Sequence, residues 1–392
     1  MAKTKEFLMH YGKMGFIAFC SLLTVSVYGF PKKNLAPQPA PPPPPPVTDV
    51  SEKNILGGIQ GKSASASVDK GWTLSATALL WQAKVDGLEY AQKVQLTADP
   101  ITNAIAAKAE LKELTFEWNP GGKVALGYIF PQRQQWDISL EWTYLFAKAH
   151  GSAHVDDPTL MRQQLKPSWI PLLMGSVASN AHAAWSMHYN VGDLTLGRNL
   201  FLGKYLAMKP FVGVRGAWIE QNYKVHYRGA QFANNAPVFH DNEFNAKQDL
   251  KAGGIRLGSD LQWFLSSHWS ILGNISASLL YGQFHLKETV SGEVGVANVV
   301  IPETIRLKDH DSRLNPNLEG KLGLKCQAPF HHGRYRVSLA AFYDFSYWFN
   351  QNRQLNETVV VDPSSGNAPS TMNRSNGNLQ LQGVSVELAL AF

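Results

Sequence analysis

From Gly71 to the C-terminus, apolar and polar residues alternate with a period of two, not the 3.6-residue period of a helix. In residues 136–147, WDISLEWTYLFA, the even positions are Trp136, Ile138, Leu140, Trp142, Tyr144 and Phe146, with Asp137, Ser139, Glu141 and Thr143 between them. In residues 335–349 the odd positions run Tyr335, Val337, Leu339, Ala341, Tyr343, Phe345, Tyr347, Phe349, opposite Arg336, Ser338, Ala340 and Asp344. In residues 114–130 one apolar phase passes through Leu114, Phe116, Trp118, Val124, Leu126, Tyr128 and Phe130. Glu117, Asn119 and Lys123 take the other face, and Pro120-Gly121-Gly122 interrupts the middle. The chain ends VSVELALAF, with Val384, Val386, Leu388, Leu390 and Phe392 on one face and Glu387 on the other.

The pattern predicts ten strands, within a range of eight to twelve, over 72–88, 111–130, 136–148, 181–198, 205–228, 246–265, 269–290, 312–327, 334–353 and 378–392. A β-sandwich also alternates. These strands are longer than the five or six residues usual in soluble sheets, their aromatics gather toward the ends, and the off-phase face is polar or small. Connections alternate in length. PQRQQ, LFLGKY, SSH and APFHHG are short, whereas 89–110, 149–180, 229–245, 291–311 and 354–377 are long. Short turns on one side and long loops on the other is the layout of an all-β transmembrane antiparallel barrel, with both ends of the sheet at the periplasmic side. Lipid cannot satisfy an open sheet edge, so the sheet must close.

The inward phase then carries Glu117, Asp137, Glu141, Asp260, Glu319 and Glu387, against Lys123, Lys209, Arg215, Arg256, Lys321 and Arg336. Two readings of this balanced lining stand: a salt-bridged filling of a narrow barrel, or a water-filled channel tuned by its charges. The closing strand has the length a tilted strand needs to cross a bilayer. Its alternate apolar residues up to Phe392 resemble the signal read by outer-membrane assembly machinery.

Ahead of the barrel, residues 1–29 have a lysine-bearing start, an apolar run over 14–27 and small residues at its end, which predicts a secretory signal peptide. Lipidation at Cys20 is disfavoured by the bulky Phe19 before it. Residues 30–70 begin with a proline-rich stretch containing six consecutive prolines at 41–46, an extended polyproline segment followed by small polar residues. That places the protein in the bacterial outer membrane, exported, with a flexible periplasmic segment and a barrel over 71–392.

Composition narrows the chemistry. Net charge is +6 and no basic run clusters, so nucleic acid is excluded as a partner. With Cys20 in the apolar leader, Cys326 is the one remaining thiol, and it falls in the lipid-facing phase. Candidate loop chemistry is limited to His150 and His154 beside Asp156-Asp157, to His240-Asp241, and to Asp309-His310-Asp311. A His/Asp set at loop tops is able in principle to bind a metal or activate water. The spacing matches no known motif, and GxSxG, HExxH, the phosphate loop and paired CxxC are all absent. The expectation is no enzyme, no metal and no cofactor.

The segments FEWNPGGKVALGY, WDISLEWTYLFAKAHG and VGDLTLGRNLFLGKYLAMKPFVGVRGAWIEQNY resemble the major outer membrane proteins of the Legionella and environmental-chlamydia type. The resemblance rests on Trp118, Gly121, Gly127-Tyr128, Trp136-Asp137, Trp142-Thr143-Tyr144, Gly197-Arg198, Pro210, Gly213, Arg215-Gly216 and Trp218, and covers about 72–392. It implies an abundant surface barrel in a lipid bilayer with lipopolysaccharide, with porin or structural roles for small hydrophilic solutes and contact with host surfaces. The alternative is an adhesin or ligand-binding barrel with an occluded lumen, its contacts made by 149–180 and 291–311. Chlamydial relatives are rich in cysteine; this chain is not.

Overall fold

The alternating segments pair as antiparallel strands that close on themselves. A computed structural model describes residues 71–98, 105–130, 136–156, 163–170, 177–233, 236–296, 299–330, 335–359 and 370–392. The expected signal peptide and proline-rich segment lie outside the described residues. Ten strands form the wall: β1 (Gly71–Val85), β2 (Trp118–Ile129), β3 (Trp136–His154), β4 (Ala178–Arg198), β5 (Leu206–Ala233), β6 (Ala236–Phe264), β7 (Trp269–Val296), β8 (Val299–Phe330), β9 (Tyr335–Asn352) and β10 (Gly377–Ala391). Each pairs with its sequence neighbours, and β1 pairs with β10, so no wall strand is left as an edge. Closure is sealed at the chain's end, where Trp72 and Phe392 exchange backbone N–H···O bonds of 2.8 and 2.9 Å.

The outer face is what a bilayer demands of alternation. Leu74, Leu126, Leu140, Val214, Leu257, Ile275, Leu322 and Leu388 are exposed there, Leu322 at 64%. Aromatics flank this band: Trp72, Tyr205, Trp263, Trp269 and Phe392 at the short-turn end, and Trp118, Trp142, Tyr144, Trp218 and Tyr281 at the other. Trp142 stacks on Trp218 at 5.6 Å. From Trp269 to Tyr281 along tilted β7 is roughly 30 Å, one hydrocarbon thickness. Cys326 pairs with Trp269 and Leu339 in the outward phase, partly exposed.

Several predicted loops are sheet. β5 and β6 stay paired as far as Ala233–Ala236, and β7 and β8 as far as Val296–Val299, so 229–245 and 291–311 are hairpin arms. Beyond the membrane the outward positions turn polar, which erases hydrophobic alternation while strand pairing persists. The segment 89–110 contains strand Ala91–Ala98, which pairs with Ile105–Lys112 and with Gln163–Pro167. Leu355–Val359 pairs with Ser370–Arg374.

The predicted second strand also breaks. Thr115–Phe116 pairs only with β3, and β2 starts afresh at Trp118. Phe116 points inward onto Trp185, at 5.5 Å between ring centroids, whereas Trp118 is 51% exposed. The phase therefore slips at residue 117. An unbroken apolar alternation had disguised the slip, because both faces accept an aromatic there.

Candidate functional site

Inward-facing residues stack in layers along the lumen. The short-turn half holds a polar cavity of about 350 Å³, lined by Lys123, Glu141, Lys209, Asp260, Lys321 and Glu387 among others. Lys209 bridges Asp137 at 3.3 Å and Asp260 at 3.2 Å, and Asp260 accepts from Asn274 Nδ2 at 2.6 Å. Lys123 lies 4.0 Å from Glu141 and over the Trp81 ring; Lys321 lies over Phe342. Arg336 is inward in phase at the rim, opposite Ala391.

The cavity's ceiling is an ion cage. Arg215 on β5 makes a bidentate pair with Asp193 on β4, at 2.7 and 2.8 Å. The same guanidinium reaches Glu319 on β8 with two bonds of 2.7 and 2.8 Å, and Asn317 at 2.6 Å. Arg256 on β6 donates to Asp193, to Glu319 at 2.8 Å and to Ser276 at 3.1 Å. Side chains of Arg215 and Asp193 are each 2% exposed. Charges this deeply buried persist only when fully paired. Asp193 is absent from the predicted lining, although its inward phase on β4 is legible in the sequence.

Above the cage the lumen is filled by large, mostly apolar side chains, with Asn315, Gln221 and Gln248 buried among them. Tyr189 on β4 meets Trp348 on β9 edge to face, with ring centroids 6.0 Å apart. β4 and β9 are five strands apart in a ring of ten, so this contact spans the bore. Leu145, Met187, Ile219, Leu280 and Leu379 are buried in the same cluster. A barrel of this size has an interior that bulky side chains can nearly fill. Higher still, the chain folds into the mouth. Trp169 stacks on Phe244 at 5.0 Å and donates to the Glu89 carbonyl at 2.9 Å. The Tyr223 hydroxyl donates to the Leu88 carbonyl at 3.1 Å, and that of Tyr227 to the Tyr90 carbonyl. A Cβ at Gly151 would stand 2.6 Å from the Tyr90 ring, so a glycine there lets the segment seat. Of the loop predicted over 149–180, residues 163–170 thus pack inward and 149–154 continue the wall strand, while 291–311 extends as a hairpin.

A second polar cluster lies beyond the membrane. Arg353 and Arg374 converge on Asp311 at 2.8 and 3.2 Å, and Arg374 pairs with Asp309 at 2.5 Å. Glu288 accepts from the Leu355 N–H at 2.9 Å. Burial pushes the Glu288 carboxyl up to about 7 from its ordinary 4.5, partly opposed by that hydrogen bond. The folded state thus holds this proton more tightly than the unfolded chain does. The carboxyl's contribution to stability is complete below the unfolded value and is lost as pH rises through about 7. In Glu288→Gln the fall in the urea unfolding midpoint between pH 4.5 and 7 should be flattened; an unchanged slope would count against this assignment.

The candidate loop chemistry is dispersed. Asp309 and Asp311 turn inward to the arginines, while His310 faces outward against His285 at 4.8 Å, so alternation splits the Asp-His-Asp triplet. His154 contacts Asp156 at 3.2 Å and Asn180 at 2.5 Å, and Asp241 pairs with Arg228 at 3.3 Å. Asp157 and the side chain of His240 lie outside the described residues. Glu117, expected in the lumen, is half-exposed and pairs with His150 at 2.9 Å on the outer face, a consequence of the slip at that residue. The other predicted lining charges sit in the cavity, the cage or the rim. At the C-terminus, Val384, Val386, Leu388 and Phe392 are exposed on the lipid-facing side, Leu390 is half-buried in the same phase, and Glu387 lines the cavity.

The family described as Legionella pneumophila major outer membrane protein precursor matches residues 65–392. No curated protein matches the chain. Among solved structures it is similar to the outer membrane protease OmpT from Escherichia coli, with 10% identity over 82% of this chain and 96% of that one and a TM-score of 0.34. It is also similar to the CymD monoaromatic hydrocarbon channel, with 9% identity over 83% and 89% and a TM-score of 0.27. A FadL homologue from Pseudomonas aeruginosa matches with 8% identity over 82% and 90% and a TM-score of 0.21.

Proposed function

The chain belongs to the Legionella major outer membrane protein family and is an outer-membrane barrel, and from that premise we propose that it is a structural surface protein whose lumen does not conduct. The observation that carries this reading is the contact of Tyr189 with Trp348 across the bore, roofed by Trp169 and floored by the cage of Arg215, Arg256, Asp193 and Glu319. A hydrated pore needs a continuous open path; here the polar cavity ends at the cage, and above it bulky, mostly apolar side chains with buried amides such as Asn315 and Gln221 among them meet across the bore. In this reading the lining charges hold the wall together rather than select ions, and the protein has no catalytic role. Contact with other surfaces falls to the β7–β8 hairpin and its β5–β6 neighbour. Proteoliposomes loaded with the protein should shrink in a hyperosmotic solution of a small sugar and not reswell; rapid reswelling would overturn the closed lumen.

Residues 1–29 serve in this proposal as the export signal and 30–70 as a flexible periplasmic tether. The assembly machinery would read Val384, Val386, Leu388, Leu390 and Phe392. Because Phe392 also closes the β1–β10 seam through its backbone, deleting it is expected to cut the yield of heat-modifiable, folded barrel in the membrane several-fold. Wild-type yield would leave the last strand purely structural.

A further inference from the structure

Above the apolar band, the outward faces of β6, β7 and β8 carry lysines in register. Lys247 lies opposite Lys287, and Lys287 opposite Lys308, in one continuous row. All three are exposed, and their inward neighbours Gln248, Leu286 and Glu288 are buried, so the ammonium groups share the outer face. Like charges directly opposite one another weaken a sheet. Lys247 has Asp249 at 3.7 Å; among the described residues Lys287 and Lys308 have no carboxylate partner. The next row outward adds Lys224 and Arg306, separated by Asn245 and Thr289. Toward the membrane the rows contain His285 and His310, then Lys251 beside Gln283. Acids border the patch at Glu220 and Asp249 below and Glu243 above, leaving its centre basic.

Depth narrows the partner. Lys287 and Lys308 stand six residues beyond Tyr281 and Leu314, the last exposed large hydrophobic residues among those described on their strands. On strands tilted at about 40° that is roughly 15 Å above the hydrocarbon edge. A phospholipid headgroup layer is only about 5–7 Å deep on each side. The row is therefore too high for phosphodiester headgroups and at the level of a thicker, saccharide-bearing one. Lysine stems also let the ammonium groups lean back toward the bilayer. We propose that Lys247, Lys287 and Lys308 bind the phosphorylated saccharide headgroup of lipopolysaccharide in the outer leaflet. The proposal rests on the protein's place in the outer membrane and not on the closed lumen, so a conducting barrel would leave it standing.

The test uses the full-length barrel refolded in neutral detergent, titrated with purified lipopolysaccharide, with heat-modifiable mobility as the folding control. Lys247→Ala/Lys287→Ala/Lys308→Ala should weaken binding about a hundredfold, given about 1 kcal/mol for each lysine at a membrane surface. The corresponding triple arginine variant should keep most of the affinity. Chemically dephosphorylated lipopolysaccharide should bind the wild type as weakly as the intact glycolipid binds the alanine variant. Phosphatidylglycerol vesicles should not distinguish wild type from variant. Unchanged affinity in the alanine variant, equal binding of the dephosphorylated glycolipid, or an equal loss on phosphatidylglycerol would each overturn the proposal. If the alanine variant fails to fold, the dephosphorylation arm on the wild type still decides.

Discussion

Replacing Arg215 with leucine is expected to lower the unfolding free energy by about 3–5 kcal/mol. This guanidinium closes two carboxylates at once, Asp193 on a neighbouring strand and Glu319 three strands away. Without it, Arg256 alone faces both, and Asn317 loses its donor. The cost arises from leaving buried carboxylates short of a partner, more than from losing attraction, because Asp193 is only 2% exposed and Glu319 17% exposed at that level. Arg215→Lys should recover only part of the loss, since a single ammonium cannot make the two bidentate contacts. Urea titration in micelles, followed by electrophoretic mobility of the folded form, measures both. A leucine variant within about 1 kcal/mol of wild type would place the pair among the inconsequential salt bridges.

The second large effect is expected at the aromatic contact across the bore. Trp348 is fully buried and Tyr189 is 2% exposed. Truncating either to alanine should cost about 3–5 kcal/mol through lost burial and the cavity left behind. The two touch, so the double variant should cost less than the sum of the single ones. The double variant also removes the apolar layer above the cage. Combined with Arg215→Ala and Glu319→Ala, it should turn a closed barrel into a leaky one, provided enough folded protein is recovered. Near-neutral single substitutions would mean that the layer is loosely packed and does not seal the lumen.

The barrel was legible in the sequence because a bilayer imposes a strict rule on every second residue, and 136–147 and 384–392 obey it without exception. Leu114, Phe116 and Trp118 read as one face because hydrophobicity alone does not separate a lipid-facing aromatic from one in an apolar lumen. That ambiguity misplaced Glu117. The plug was invisible for a related reason: Leu88, Tyr90 and Trp169 belong to short segments with no periodicity, and their inward turn depends on carbonyl acceptors met by Tyr223, Tyr227 and Trp169. The cage was half legible. Arg215, Arg256 and Glu319 carried the inward phase, but the register that brings β4, β5, β6 and β8 to one level is set by strand stagger, which no single strand reveals. The same stagger aligns Lys247, Lys287 and Lys308.

The central claim is that side chains occlude this lumen, and electrical conductance of the wild-type barrel in a planar bilayer tests it most directly. Folded protein is expected to insert with no stepwise current at moderate voltage in high salt, and the variant lacking the Tyr189, Trp348, Arg215 and Glu319 side chains is expected to pass current. Reproducible unitary steps from the wild-type protein would contradict it.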